Sequence, residues 1–297
     1  MNKPSMNHLP VRIAGAVLLI LFLVMLCVGC VSAETADTAL ANTTAVATQT
    51  ADVAVTAASN PVTEFFTSLG DKFTQNFLNK GRYSYIIEGL QNTAIIALCA
   101  LLIGLVFGTL IAIVRTVHDL HGKLNILNAI CKLYLTIIRG TPVLVQLLII
   151  YYVIFATVDL SKILIASIAF GINSAAYVAE IIRAGINAVP KGQFEAGFSL
   201  GLPFRKTMTQ IILPQAIKNI LPALCNEGIT LIKETSVSGY IGVMDLTKAG
   251  DLIRSQTFEP FLPLLAVAVI YLAMVMILTA FVNKLEKRLN QGNGMAA

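Results

Sequence analysis

Long stretches of this chain carry no charge at all, and nothing else in it restricts the possible folds as tightly. From Gly89 to Val114 there is no Asp, Glu, Lys or Arg. About 20 consecutive apolar residues suffice to cross a bilayer as a helix. Only a helix crosses singly, because each backbone N–H must be bonded within its own segment. Ile13–Val31, Gly140–Val158, Ile163–Ala179 and Pro260–Asn283 are further candidates. A sixth run, about Ile217–Gly239, is apolar but broken by Glu227, Lys233 and Glu234. The whole chain is 56% hydrophobic and 12% charged, with a mean hydropathy of +0.78. Soluble domains carry about 25% charged residues. The expected class is all-α integral membrane, with the work of moving a solute rather than covalent chemistry.

Lys and Arg set the orientation. With residues 1–12 placed in the cytoplasm and the spans alternating, the inner loops hold Arg115, Lys123, Lys132, Arg183, Lys191, Arg205, Lys206, Lys218, Lys284, Lys287 and Arg288. The outer side receives fewer, among them Lys72, Lys80, Lys162, Lys248 and Arg254. The C-terminus is therefore expected inside. Residues 1–33 read as a signal peptide or an uncleaved anchor: Lys3 and Arg12 precede the apolar run, and Val31-Ser32-Ala33 resembles a cleavage site. Residues 34–82 read as an extracytoplasmic linker, rich in Ala and Thr, then an amphipathic helix carrying Phe65, Phe66, Leu69, Phe73, Phe77 and Leu78. The five cysteines, Cys27, Cys30, Cys99, Cys131 and Cys225, lie in or beside apolar runs, without zinc-site spacing.

Catalytic signatures are missing. There is no HExxH, P-loop or dinucleotide fingerprint. Gly197-Phe198-Ser199-Leu200-Gly201 matches GxSxG, but that motif needs a strand before it and a later His. The histidines His8, His118 and His121 all lie upstream, and the flanks read as helical. No catalytic residue, metal site or cofactor is expected. Energy for active transport must come from an ion gradient or from another subunit.

Ionisable residues inside spans cost about 2.5–3.5 kcal/mol each even on gentle scales, so they are candidates for a solute path. Glu227, Thr230, Glu234 and Ser238 fall on one stripe of a regular helix. Lys233 beside them makes a simple Glu–Lys pair an equal alternative. Asn173, Tyr177, Glu180 and Ala184 form a similar stripe on the preceding span, where Arg183 is spaced to pair with Glu180. Gly104 and Gly108 form a GxxxG that admits a close neighbouring helix, of this chain or another.

Between the fourth and sixth runs lies the longest inner loop, residues 184–216. A helix from about Gln193 should end at Gly201, with Pro203 enforcing the stop. Phe194, Phe198 and Leu202 give it an apolar face suited to docking a soluble partner.

The run Glu195-Ala196-Gly197, then Gly201, then Ile211-Ile212-Leu213-Pro214 resembles the EAA loop of bacterial ABC-importer permeases. Arg139-Gly140-Thr141-Pro142, Ala176–Arg183 and Leu231–Ser236 resemble the polar amino acid branch of that family, of the histidine, glutamine and arginine type. Gly197 departs from the usual Ala, which should soften the loop helix. The resemblance covers residues 83–290 and implies a type I importer permease with a five-helix core, followed by a cytoplasmic tail at 291–297. It implies a bacterial inner-membrane location, a second permease chain (homo- or heterodimer), separate ATPase subunits that bind the ATP, and a separate extracytoplasmic solute-binding protein. Glu195, Ala196, Gly197, Gly201 and Leu202 are then expected to couple to the ATPase. Asn173, Tyr177, Glu180, Glu234 and Ser236 are expected to line the path. The acidic residues in the spans favour a cationic cargo. An ion-coupled secondary carrier is the alternative, although no inverted repeat is visible.

Overall fold

The computed structural model describes residues 67–68 and 70–291, and every regular element in them is a helix. The expected signal or anchor segment, Cys27, Cys30, Phe65, Phe66, Leu69, most of the linker and the tail beyond Gln291 lie outside the described residues. Before the bundle, a π-helical turn at Thr74–Leu78 buries Phe77 against Ile253 and Leu262, while Phe73 and Leu78 remain exposed.

Eight α-helices of seven residues or more follow among the described residues. They are α1 (Tyr83–His121), α2 (Asn125–Gly140), α3 (Val143–Ile149), α4 (Lys162–Asn187), α5 (Lys191–Ser199), α6 (Leu213–Glu234), α7 (Leu246–Thr257) and α8 (Phe261–Gln291). Among the described residues α1, α4 and α8 are each long and apolar enough to cross a membrane alone. They are not equivalent. α4 has 67% of its apolar window buried, against 28% for α1 and 17% for α8. Small residues on α4, such as Ala166, Ala169, Ala175, Ala176 and Ala179, let neighbours approach on several sides. By contrast, α1 leaves Leu98, Leu102, Val106 and Leu110 exposed, and α8 leaves Ile277 and Phe281 exposed. Apolar surface on that scale is stable only in lipid or against another chain.

The span expected at Gly140–Val158 is not one helix. α2 stops at Gly140, the chain is extended at Thr141 and Pro142, and α3 resumes with its π-helical continuation Ile150–Ile154 at an angle of 109°. Pro142 is the cause, since a proline disfavours helix in the residue before it and lacks the N–H that would continue the ladder. The expected helix at Ile217–Gly239 also stops early. α6 ends at Glu234 and tightens into a 3-10 turn, Thr235–Ile241. Of its polar stripe, Glu227, Thr230 and Glu234 stay on one face of α6 and only Ser238 is turned away, because a 3-10 turn advances each side chain by about 120° rather than 100°. Between that turn and α8 lies α7, capped by Asp245, whose side chain accepts from the Thr247 N–H.

Candidate functional site

The interior is built where α1, α4 and α6 converge. A Cβ added to Gly104 would stand 2.8 Å from Ser174 Oγ, and one on Gly108 would stand 2.7 Å from Val178 Cβ. The partner of the GxxxG is thus α4 of the same chain. Ser174, which Gly104 admits, donates a hydrogen bond of 2.8 Å to Glu227 Oε1 on α6. Both side chains are buried. Thr230 instead turns its hydroxyl back to the carbonyl of Asn226, and Ser238 is buried in the 3-10 turn.

A second polar knot fixes the bend. Gln146 donates through Nε2 to the carbonyl of Ile138 (2.7 Å), the carbonyl of Thr141 (3.0 Å) and Thr141 Oγ1 (2.8 Å). Its Oε1 accepts from Asn173 Nδ2 at 2.9 Å. Asn173, a path candidate, is therefore buried and engaged in holding the α2–α3 corner against α4. Gln146 escaped the sequence reading. A polar residue four positions after a proline inside an apolar run was the available signal.

Towards the α5 end of the bundle lies an open cavity of about 680 Å³ that Tyr177 and Glu180 share with Arg115, Lys132, Thr136, Arg139 and Arg183. Glu180 is paired with Arg183 on its own helix and lies 3.7 Å from Arg115 of α1. The Arg139 guanidinium stands 5.4 Å above the Tyr177 ring, within cation–π range. Of the expected path residues, only Tyr177 and Glu180 are brought together here.

Glu234 and Ser236 sit at the other end, where α6 gives way to the 3-10 turn. Glu234 is half-buried and Ser236 borders two adjacent recesses of about 370 and 360 Å³. Lys233 lines the second, with Tyr271. Asp245 lines the first and is fully buried, and that burial pushes its carboxyl up to about 6, against the opposing hydrogen bond from Thr247. Asp251 is exposed and held below the usual range by hydrogen bonds from Arg254 and Lys248. Among the described residues no group of three His, Cys, Asp or Glu is placed to hold a metal ion.

The loop between α4 and α6 is structured. α5 closes with paired hydrogen bonds: Leu202 N–H to the Gly197 carbonyl (3.1 Å) and Gly201 N–H to the Phe198 carbonyl (2.9 Å). This is a Schellman end, and Gly201 supplies the left-handed residue it needs, at φ +73°. Gly197 has a different reason to be glycine. A Cβ there would lie 2.5 Å from Thr207 Cγ2, so the missing methyl seats α5 on the π-helical turn Thr207–Ile212. The expected apolar face is divided. Phe194 packs inward with Ile186, Val189, Ile212, Ala216 and Ile220, and Leu202 is half-buried. Phe198 and Leu200 are the apolar side chains left exposed, beside exposed Glu195 and Ala196.

Comparison with known proteins accords with this geometry. Residues 104–291 match the family described as "Binding-protein-dependent transport system inner membrane component". A Rickettsia bellii protein named as a glutamine transport system permease is 41% identical over 207 residues, covering 69% of this chain and 93% of its own. An arginine transport system permease of Bacillus subtilis is 36% identical over 211 residues, covering 70% of this chain and 94% of its own. In a crystal structure of an amino acid ABC transporter with histidines, one chain superposes with a TM-score of 0.65 at 40% identity, covering 71% of this chain and 98% of that one.

Proposed function

The chain belongs to the family of binding-protein-dependent transport system inner membrane components, and from that premise we propose that it is the permease through which a polar amino acid enters the cell. It is a multi-pass inner-membrane protein and not itself an enzyme; the ATPase is a separate subunit. Membership in this family sets aside the ion-coupled carrier. Relatives assigned to glutamine and arginine transport support a polar amino acid as cargo.

In this reading the five crossings are α1, the bent pair α2–α3, α4, α6 and α8, and a second permease chain completes the path. α5 is cytoplasmic and is the element that couples to the ATPase. The single observation that carries this is the build of α5. It is a short helix with its own small core, closed by a Schellman end, yet it leaves Phe198 and Leu200 exposed beside Glu195. A helix so fixed to α4 and α6 can transmit a push, and Gln215 of α6 reaches Gln193 of α5 at 3.2 Å. When ATP closes the ATPase pair, the docked helices move together and the two halves of the path switch from inward-open to outward-open. Tyr177 and Glu180 line the inner part of the path, Glu234 and Ser236 the outer part, and Asn173 braces the corner between them.

Glu195→Lys tests the coupling role. Reconstituted with its ATPase and binding protein, this variant should insert and assemble while hydrolysis no longer drives uptake. Wild-type uptake per ATP would overturn the assignment of α5.

A further inference from the structure

The open cavity towards α5 is lined by four cations, Arg115, Lys132, Arg139 and Arg183, against one carboxylate, Glu180. That carboxylate is already taken. Arg183 pairs with it from the same helix, and Arg115 lies 3.7 Å from it on α1. Arg183 also reaches Asp119, at 3.8 Å. Lys132 and Arg139 have no ion-pair partner among the described residues. Arg139 instead stands over the Tyr177 ring.

The two cations of α2 face the cavity rather than lipid. They lie two turns apart on one face, with Thr136 between them, and that face lines the cavity. The exposed apolar side chains of α2, Ile126, Ile130, Leu133 and Ile137, fall on a different face, about 120° away. Lys132 and Arg139 are both exposed, on a wall that is fixed. Tyr134 of α2 donates to the Ile172 carbonyl of α4, and Gln146 ties the α2–α3 corner to Asn173. Uncompensated charges of one sign in a concave site focus their potential on whatever enters it. The volume of about 680 Å³ lies within the usual range of small-ligand sites, about 300–1,000 Å³. The acidic residues of α6 do not offset this charge. Glu227 is buried and accepts from Ser174, and Glu234 lies at the other end of the bundle.

We propose that this cavity selects cargo by charge: an amino acid with a neutral or anionic side chain passes, one with a cationic side chain is turned away, and Lys132 and Arg139 set the preference. The inference rests on the reading above that Tyr177 and Glu180 line the path of an amino acid. It reverses the expectation of a cationic cargo drawn from acidic residues in the spans, because the acid that lines this cavity is neutralised by arginines of its own chain.

The test uses the permease–ATPase complex in phosphatidylcholine nanodiscs without its binding protein, so that the permease alone discriminates. It is titrated calorimetrically with L-arginine and L-citrulline, which match in size and differ in side-chain charge. L-Citrulline should bind at least about tenfold more tightly than L-arginine. Lys132→Glu should move this ratio about tenfold or more towards L-arginine in complexes that still copurify with the ATPase, and the milder Lys132→Gln should move it the same way. Lys132→Arg should keep it. Equal or tighter binding of L-arginine by the wild type, a ratio unmoved by Lys132→Glu and Lys132→Gln, or no saturable binding of either compound overturns the inference. If the wild-type complex, given its binding protein, still imports a polar amino acid, only the charge selection has been misassigned; if it imports none, the cargo reading has failed as well.

Discussion

Ser174 Oγ and Glu227 Oε1 meet at 2.8 Å between α4 and α6, both buried, at the level where Gly104 brings α1 against them. One hydroxyl thus ties together the three helices on which the rest of the bundle is hung. Ser174→Ala removes the donor and leaves the carboxyl oxygen buried without a partner, which costs about 1–3 kcal/mol. Glu227→Gln keeps an acceptor for Ser174 and should cost less. Thermal unfolding of the purified protein in one detergent orders the three forms as wild type, Glu227→Gln, Ser174→Ala. An unchanged midpoint for Ser174→Ala would contradict this role.

The close approach of α1 to α4 predicts a contrast between two glycines. At Gly108 an added methyl would overlap Val178 and the Ala175 carbonyl, at 2.7 and 2.8 Å. Overpacking of this kind costs about 1–3 kcal/mol. Gly192, inside α5, has nothing within 4 Å of the same position. There alanine should stabilise by up to about 1 kcal/mol through helix propensity. Opposite shifts in melting temperature for Gly108→Ala and Gly192→Ala are expected; shifts of the same sign would count against the packing described.

Gly197→Ala restores the residue more usual in this loop, yet it should impair this particular protein. The new methyl meets Thr207 Cγ2 at 2.5 Å and must lift α5 from its seat. Thr207→Ala removes that obstruction. The two changes should therefore be non-additive, with the double variant recovering ATPase-coupled uptake relative to Gly197→Ala by a coupling of about 0.5–3 kcal/mol. Strict additivity would show that α5 tolerates the methyl elsewhere.

Asp245 gives stability a pH dependence of definite sign. Burial raises its carboxyl from 3.8 to about 6, so the native state holds the proton more tightly than the unfolded chain. Its stabilising contribution is complete below the ordinary value of 3.8 and is lost as pH rises through about 6. The amount is on the order of 2–3 kcal/mol. Asp245→Asn cannot titrate and should flatten this part of the profile. Melting temperatures of both proteins between pH 4.5 and 7.5 check it; parallel profiles would contradict the assignment.

Much of the fold was legible because burial in lipid and burial in protein ask for the same side chains. Uncharged runs gave α1, α4 and α8, and Gly201 with Pro203 gave the end of α5. The same degeneracy hid the rest. Gly140–Val158 reads as one apolar span, yet its helical part is only Val143–Ile154 and the helix before Thr141-Pro142, Asn125–Gly140, meets it at 109°, because hydropathy does not register backbone direction. The stripe of Glu227, Thr230, Glu234 and Ser238 assumes one helical period throughout, and Ser238 leaves it where α6 tightens after Glu234. Glu180 and Arg183 were correctly paired, since that contact is local. Asn173–Gln146 and Ser174–Glu227 were not foreseen, since they join residues 27 and 53 positions apart and depend on how helices cross. Asp245 drew no notice in a polar stretch between spans. Only packing shows that it is buried.

The central claim is that this chain works as the permease of an ATP-driven importer, coupled through α5. It is tested most directly by purifying the C-terminally tagged protein from its native membranes in mild detergent and identifying its companions by mass spectrometry. A stoichiometric P-loop ATPase, retained in Glu195→Lys but lost or weakened in a Phe198→Asp, Leu200→Asp double variant, is the result expected. A wild-type chain that purifies alone, where an established ABC complex handled in parallel stays intact, would contradict the account.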